Sequence, residues 1–207
     1  MLTFLKHNIL KFAVIALVLM LSLSESTAMA NKVSIPIENN PGTFPESIEE
    51  SVIDPVYSPD GTMLSFSSNT VNSGALWLQS NSGSPSQIYQ SKKKLYSTTW
   101  SPDGNRIAFL ESEDETGSGY LASTVLIYNL KSGLLTDTGA MVNGYKRFEY
   151  QDPVLEWSLD SKKMLICSNP IVVWDTDSLT TIQITEPGAK VQLASLSPSG
   201  NKVAYKK

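Results

Sequence analysis

The stretch Trp100-Ser101-Pro102-Asp103-Gly104-Asn105-Arg106-Ile107-Ala108-Phe109 decides the fold of this 207-residue chain. An aromatic residue precedes a Ser-Pro-Asp-Gly turn, and a short apolar run follows it. Proline presets φ for the first central position of a type I turn, aspartate accepts a hydrogen bond from the backbone downstream, and glycine takes the left-handed conformation that closes a short hairpin. The stretch therefore predicts two antiparallel strands joined by a tight turn.

The same pattern occurs four times along the chain. Its central serines are Ser58, Ser101, Ser158 and Ser197, which are 43, 57 and 39 residues apart. The third unit has Leu159 and Ser161 where the first two have proline and glycine, and the fourth has Ser199 in place of aspartate. These periods are typical of a propeller blade of four strands rather than of a shorter helical repeat.

Further apolar and β-branched runs follow each motif, and turn residues separate them. They lie at 75–78 and 86–89 in the first unit, at 125–128 and 134–136 in the second, and at 171–175 and 181–185 in the third. No stretch after residue 30 has sustained helical periodicity. We therefore predict an all-β chain of β-propeller blades over about 52–91, 95–137, 150–186 and 190–207, with three complete four-stranded blades and a partial fourth.

The first two units carry a family resemblance. Ser58-Pro59-Asp60-Gly61 through Phe66, and Trp100 through Phe109, resemble the WD40-like repeats of TolB-type propellers. They are also similar to the propellers of prolyl-oligopeptidase and dipeptidyl-peptidase relatives. The resemblance covers about residues 52–207 and implies a β-propeller that acts with partner proteins in the cell envelope. It does not imply one function, because this fold serves many proteins.

The predicted blades do not make up a usual ring, since propellers typically have about four to eight blades. We expect that the chain is a fragment of a longer propeller. Two alternatives are a small four-bladed ring, in which the alternating stretch 32–37 within the N-terminal segment 31–51 supplies a closing strand, and assembly from two chains. An unclosed sheet edge would also allow self-association.

Residues 1–30 have the features of a secretory signal peptide. Lys6 and Lys11 precede a 12-residue apolar run over 12–23, and Ala28-Met29-Ala30 supplies small residues before a cleavage point. The run is too short for a typical membrane-spanning helix, which needs about 20 apolar residues. We expect a secreted, periplasmic or cell-surface protein with no stable membrane span after cleavage; an uncleaved anchor is the alternative.

Composition excludes several kinds of chemistry. The one histidine, His7, lies in the predicted signal, so the mature chain would lack a histidine base and histidine metal ligands. The net charge of −4 offers no basic surface for nucleic acid. The one cysteine, Cys167, cannot form an internal disulfide, and its apolar surroundings predict a buried strand residue.

Two groups of carboxylates stand out. The turn residues Asp60, Asp103 and Asp160, with Gly61, Gly104 and Gly200, need no role beyond the structure of the hairpins. Glu111, Glu113, Asp114 and Glu115 form a predicted acidic loop that could bind a hard cation such as Ca²⁺. A solvated loop is the favoured interpretation, so we expect no cofactor.

Aromatic residues fall into two classes. Trp100 and Trp157 occupy equivalent positions in their repeats, as do Trp77 and Trp174, which predicts packing between blades rather than a carbohydrate-stacking surface. The insertion 138–151 explains the long second period, and long loops on a rigid scaffold often bind ligands. It supplies the predicted contact residues Tyr145, Lys146, Arg147, Phe148 and Tyr150.

Two functions remain open at this stage. The first is a non-catalytic propeller that binds a protein or an envelope component. The alternative is the propeller part of a peptidase or carbohydrate-active enzyme whose catalytic part lies outside this sequence, since no Gly-x-Ser-x-Gly nucleophile motif occurs here.

Overall fold

The computed structural model describes residues 52–81, 83–112, 121–145, 155–189, 191 and 193–206, which form fourteen strands in four antiparallel sheets. The first sheet contains β1 (Val52–Tyr57), β2 (Met63–Asn69), β3 (Gly74–Ser80) and β4 (Ser86–Ser91). The second contains β5 (Lys94–Trp100), β6 (Arg106–Ser112), β7 (Leu121–Asn129) and β8 (Leu134–Tyr145). The third contains β9 (Leu155–Trp157), β10 (Lys163–Ile166), β11 (Val172–Asp175) and β12 (Thr180–Gln183), and the fourth contains β13 (Leu193–Leu196) and β14 (Val203–Lys206).

The sheets are stacked blades. Within each sheet the strands pair in chain order, and the first strands of successive sheets contact one another: β1 with β5, β5 with β9, and β9 with β13. This is the arrangement of inner strands in a β-propeller. The prediction of an all-β chain with three four-stranded blades and a partial fourth is confirmed.

Each pair of neighbouring blades encloses its own apolar core. Leu76 of the first blade packs with Leu95 and Phe109 of the second, and all three are fully buried. Leu110 of the second blade packs with Met164 and Ile166 of the third in the same way. Full burial of such a side chain contributes about 1.5–3 kcal/mol relative to exposure, so these cores hold the stack together.

The two ends of the blades differ. The hairpin turns at 58–62, 101–105, 158–162 and 197–202 all join a first strand to a second, and we call this end of the sheets the turn end. The turns after β3, β7 and β11 lie at the same end. Within the second blade, for example, the Leu130 N–H donates to the Asn105 carbonyl at 2.9 Å. Tyr145 pairs with Leu121 at the opposite end of that blade.

Three sequence predictions are corrected. Residues 138–145 are not a loop, because they continue β8 and pair with β7. Glu111 lies in β6, and not in an acidic loop. Cys167 follows the end of β10 and is partly exposed instead of buried. Residues 1–51, which include the predicted signal peptide and closing strand, lie outside the described residues.

Candidate functional site

The hairpin turns share a network between a serine hydroxyl and an aspartate carboxylate. The hydroxyls of Ser58, Ser101 and Ser158 donate to Asp60, Asp103 and Asp160 at 2.6, 2.5 and 2.6 Å. Each hydroxyl oxygen also accepts the backbone N–H five residues downstream, at 2.9–3.0 Å. The serine therefore bridges the two strands at the point where they separate.

The same carboxylates accept the backbone N–H two residues downstream, at 3.0–3.1 Å. The hydrogen bond from Ser58 holds the pKa of Asp60 below its usual value, and that from Ser158 does so for Asp160. Partial burial raises the pKa of Asp103, but hydrogen bonds from Ser101 and Asn105 outweigh it, so this pKa is lowered too. All three are carboxylates at neutral pH.

The residue at the third position after each motif serine has a positive φ. Gly61, Gly104 and Gly200 have φ of 70°, 68° and 68°, and Ser161 of the third turn has φ of 60°. A side chain at such a φ carries a conformational cost. Ser161 has a compensating contact, because its hydroxyl accepts the Asp103 N–H at 2.9 Å from the neighbouring blade.

A groove of about 290 Å³ opens at the turn end between the first and second blades. Asp60 and Met63 line it from the first blade, and Trp100, Asp103 and Gly104 line it from the second. The indole N–H of Trp100 is already bonded to the Val56 carbonyl at 3.1 Å, so the ring is fixed in place. The groove therefore combines ionised carboxylates with an indole ring that is itself largely buried, and we take it as the candidate site.

The equivalent place between the second and third blades is filled by a side chain of the protein itself. The Arg106 guanidinium lies 5.2 Å from the centre of the Trp157 ring. It donates to the Ser161 carbonyl at 2.6 Å and to the Asp103 carboxylate at 3.3 Å. Arg106 thus joins two blades through one planar group.

Between the third and fourth blades the corresponding cation is Lys163. Its side chain packs at Gly200, where an added Cβ would come within 3.1 Å of the lysine Cδ. The backbone also connects these two turns, because the Leu159 N–H donates to the Pro198 carbonyl at 2.9 Å. At the level of the inner strands, Glu156 accepts the Leu196 N–H at 2.8 Å.

Glu111 belongs to a second polar cluster, partly buried between the first two blades. Its carboxylate accepts the Tyr89 hydroxyl at 2.8 Å and lies 3.5 Å from the Lys93 ammonium. Burial, together with the bond to Glu111, raises the pKa of the Tyr89 phenol. Glu111 is thus engaged within the protein, and the other predicted cation ligands, Glu113, Asp114 and Glu115, lie outside the described residues.

One of the predicted contact residues falls within the described part of the chain, and it stands apart from the groove. Tyr145 is the last residue of β8, at the end of the blade opposite the turns, and Lys146, Arg147, Phe148 and Tyr150 lie outside the described residues. The four tryptophans are all buried, as their equivalent positions predict. Trp157 and Trp174 have no hydrogen-bond partner for the indole N–H in the described part of the chain.

The described residues lack two kinds of feature. They contain no group of three or more histidine, cysteine, aspartate or glutamate side chains that could hold a metal ion. They also contain no helix with the length and apolar character needed to cross a membrane.

The likeness to known proteins lies in the fold. No family model matches the chain, and no curated protein matches it significantly. Among solved structures, TolB from Acinetobacter baumannii superposes with a TM-score of 0.51 at 19% identity, over 74% of this chain and 37% of that one. An oligogalacturonate lyase in complex with manganese gives a TM-score of 0.50 at 12% identity, over 74% and 44% of the two chains. A putative TolB from Agrobacterium tumefaciens is 22% identical over 73% and 52%, with a TM-score of 0.49.

The protein thus has the fold of a β-propeller. Its structural neighbours are TolB and other β-propeller proteins. The matched parts are about half or less of those chains. Because the neighbours include TolB and a lyase, the fold does not determine the activity.

Sequence reasoning missed two site features. The motif serine was used only to measure the repeat spacing. Its presence in all four repeats was a signal that the hydroxyl has a structural role. Sequence reasoning also passed over the position five residues after that serine, which holds Met63, Arg106, Lys163 and Lys202 in turn. The change from methionine to three cations at one repeat position was the available signal for contacts between blades.

Proposed function

We propose that this protein is an exported, non-catalytic β-propeller that acts as a binding scaffold for a protein or another component of the cell envelope. The observation that carries the proposal is the extension of β8. This strand has 12 residues, against six for β4 and four for β12, the fourth strands of the neighbouring complete blades. It pairs with β7 as far as Tyr145.

The extended strand supports the predicted contact segment. Tyr145 ends the ladder, and Lys146, Arg147, Phe148 and Tyr150 follow directly in the sequence. Val142 and Ala140 of the extension are buried in the core shared with the third blade, so the ladder is anchored. Arginine and tyrosine are among the residues enriched at the positions that dominate binding energy, which fits a contact segment that follows an anchored strand.

The turn carboxylates support a role other than catalysis. Asp60, Asp103 and Asp160 are ionised at neutral pH, while a general acid needs a raised pKa. Their lone pairs accept hydrogen bonds that hold the turns together. The signal-like features of residues 1–30 and the fold shared with TolB support export and a role in the envelope.

A quantitative pull-down tests the contact segment. The bait is the full tagged chain, and the test variant replaces Tyr145, Lys146, Arg147, Phe148 and Tyr150 by serine. The matched control replaces Lys131 and Ser132 by alanine in the exposed turn after β7, at the opposite end of the same blade. We expect the control to recover an envelope partner as the wild type does. The amount of partner recovered by the test variant should be lower by at least about tenfold.

Three results would contradict parts of the proposal. Unchanged recovery by a folded test variant would contradict the assignment of the contact segment. The absence of any saturable partner would contradict the scaffold function. Turnover of peptides or acidic polysaccharides by the purified chain would favour the enzymatic alternative, for which the lyase neighbour supplies a precedent of fold alone.

A further inference from the structure

We propose that the groove between the first two hairpin turns is a receptor for an arginine side chain of a partner protein. The groove opens at the turn end of the blades, and the predicted contact segment begins at the opposite end. The inference therefore goes beyond the proposed function and does not depend on it. It rests on a comparison of the blade interfaces within this one chain.

The second interface is the template for the site. There the Arg106 guanidinium lies over the Trp157 ring at 5.2 Å and donates to the Ser161 carbonyl and to the Asp103 carboxylate. The planar cation thus has three kinds of partner: an aromatic face, one main-chain carbonyl and one carboxylate. The guanidinium side chain is mostly buried, with 18% exposed.

The first interface has the same parts except for the cation. Counted from the motif serines, Asp60 corresponds to Asp103, Trp100 to Trp157, and Gly104 to Ser161. The position of Arg106 is held by Met63, which is neutral and lines the groove. At the third interface the same position is Lys163. The first interface is thus the one at which no described residue supplies a cation to this place.

The open space and its charge favour an arginine over other ligands. A volume of about 290 Å³ suits a side chain rather than a single ion. The described residues contain no group of three or more side chains that could hold a metal ion, and an indole ring is no metal ligand, although it stacks well on a guanidinium. Asp60 is exposed at the groove and ionised, so its charge is available to an incoming cation.

The source of the arginine is a protein and not the free amino acid. The groove offers carboxylates and carbonyls but contains no basic side chain among its lining residues to pair with the carboxylate of free arginine. One side chain with few contacts binds with millimolar affinity, so a biological partner must add contacts around it.

The first experiment uses three probes on the full chain. N-acetyl-Gly-Arg-Gly-amide is titrated while the indole N–H signal of Trp100, assigned with Trp100→Phe, is followed by NMR. We expect a saturable shift with a Kd on the order of millimolar. The same peptide with citrulline, a neutral isostere of arginine, should bind at least about tenfold more weakly, since a charge-assisted contact is lost. Free arginine should also bind more weakly than the peptide.

The second experiment uses variants that act on the groove in opposite ways. Met63→Arg places the chain's own guanidinium at the position equivalent to Arg106, and it should abolish probe binding and raise Tm. Asp60→Asn should weaken binding at least about fivefold. Its matched control, Asp160→Asn, changes the same turn position in the third blade, which does not line the groove, and should leave binding unchanged.

Each result bears on the proposal. Equal binding of the citrulline peptide, or wild-type binding by Met63→Arg, would overturn the guanidinium site. Tighter binding of free arginine than of the peptide would overturn the assignment to a protein partner. If Asp60→Asn does not fold, Met63→Arg still decides the matter, because it adds a group and leaves the hairpin network intact. Pull-down results with the contact-segment variant are unaffected by any of these outcomes.

Discussion

The Ser101 hydroxyl is fully buried at the neck of its hairpin. It donates to Asp103 at 2.5 Å and accepts the Arg106 N–H at 3.0 Å. Its equivalent in the fourth turn, Ser197, accepts two backbone N–H groups but has Ser199 in place of the aspartate. Leaving a buried polar group without a partner costs more free energy than a typical hydrogen bond contributes. We therefore expect the serine hydroxyl to contribute more to stability in the turns that keep the aspartate.

Replacing this serine tests the hairpin network. We predict that Ser101→Ala lowers the free energy of unfolding by about 1–3 kcal/mol, because the Arg106 N–H loses its acceptor at the buried Ser101 position and the Asp103 carboxylate loses a donor. Urea denaturation measures the change. Ser132→Ala, in the exposed turn after β7, is the control and should change stability by less than about 0.5 kcal/mol. Equal effects of the two substitutions would contradict the assigned role.

The turn carboxylates predict how stability depends on pH. The pKa values of Asp60, Asp103, Asp160 and Asp175 are lowered from 3.8 in the folded chain. The unfolded chain therefore takes up protons first, so the stabilisation is complete well above pH 3.8 and is lost as pH falls through the lower folded values. The urea midpoint should be flat near neutral pH and fall below about pH 4. A smaller fall in Asp103→Asn would support this account, and an unchanged profile would contradict it.

At the scale of elements, the blades are joined by side chains that cross between hairpins. Asp54 and Ser97 have positive φ at equivalent bulges of β1 and β5, and the Ser97 N–H donates to the Asp54 carboxylate at 2.7 Å. Arg106 has the corresponding role between the second and third blades. These contacts join neighbouring sheets through defined polar partners.

Removing the guanidinium should loosen the second interface. We predict that Arg106→Met destabilises the chain by about 1–3 kcal/mol, because it removes the contact with the Trp157 ring and the bond to the Ser161 carbonyl. Thermal and urea unfolding give the change. Lys162→Met is the matched control, since Lys162 forms an exposed ion pair with Asp177. Such pairs contribute about 0–1 kcal/mol, so an equal loss in both variants would contradict the role of Arg106.

At the scale of the whole molecule, the stack has exposed apolar residues at both ends. Tyr57 of the first blade is 63% exposed, although its equivalents Trp100 and Trp157 are covered by the preceding blade. In the fourth sheet, β14 pairs with one strand in the described part of the chain, and its Tyr205 is 40% exposed. Unpaired strand edges of this kind favour pairing with another chain.

We therefore predict self-association that depends on concentration. Sedimentation velocity of the purified chain should show a rising average sedimentation coefficient between about 1 and 100 μM, the range in which a weak interface dissociates. Tyr205→Lys should weaken the association, because a lysine on an edge strand opposes pairing. The control Leu159→Lys changes an exposed residue of the third turn. A monomer across the whole range would contradict the prediction.

Much of the fold follows from short-range patterns in the sequence. The turn of Ser101 to Arg106 closes with bonds between residues at most five apart, so its residue types suffice to predict the hairpin. Repetition of the motif then indicates blades. The loop predicted over 138–151 was wrong for 138–145, because its polar and small residues conceal a strand whose stability comes from pairing with β7 and from packing on the third blade.

The candidate groove was beyond sequence reasoning for the same kind of reason. Asp60 and Trp100 are 40 residues apart in the chain, and the Arg106 guanidinium bonds to a carbonyl 55 residues away. The sequence by itself determined the hairpins, the repeat and the class of fold, since these depend on local backbone preferences and on which faces are apolar. Which side chains meet between blades is decided only in the tertiary structure. It shows that Met63 leaves an open space, while Arg106 fills the equivalent place at the next interface. These contacts depend on the spacing of whole sheets, which results from many packing contacts between residues far apart in the sequence.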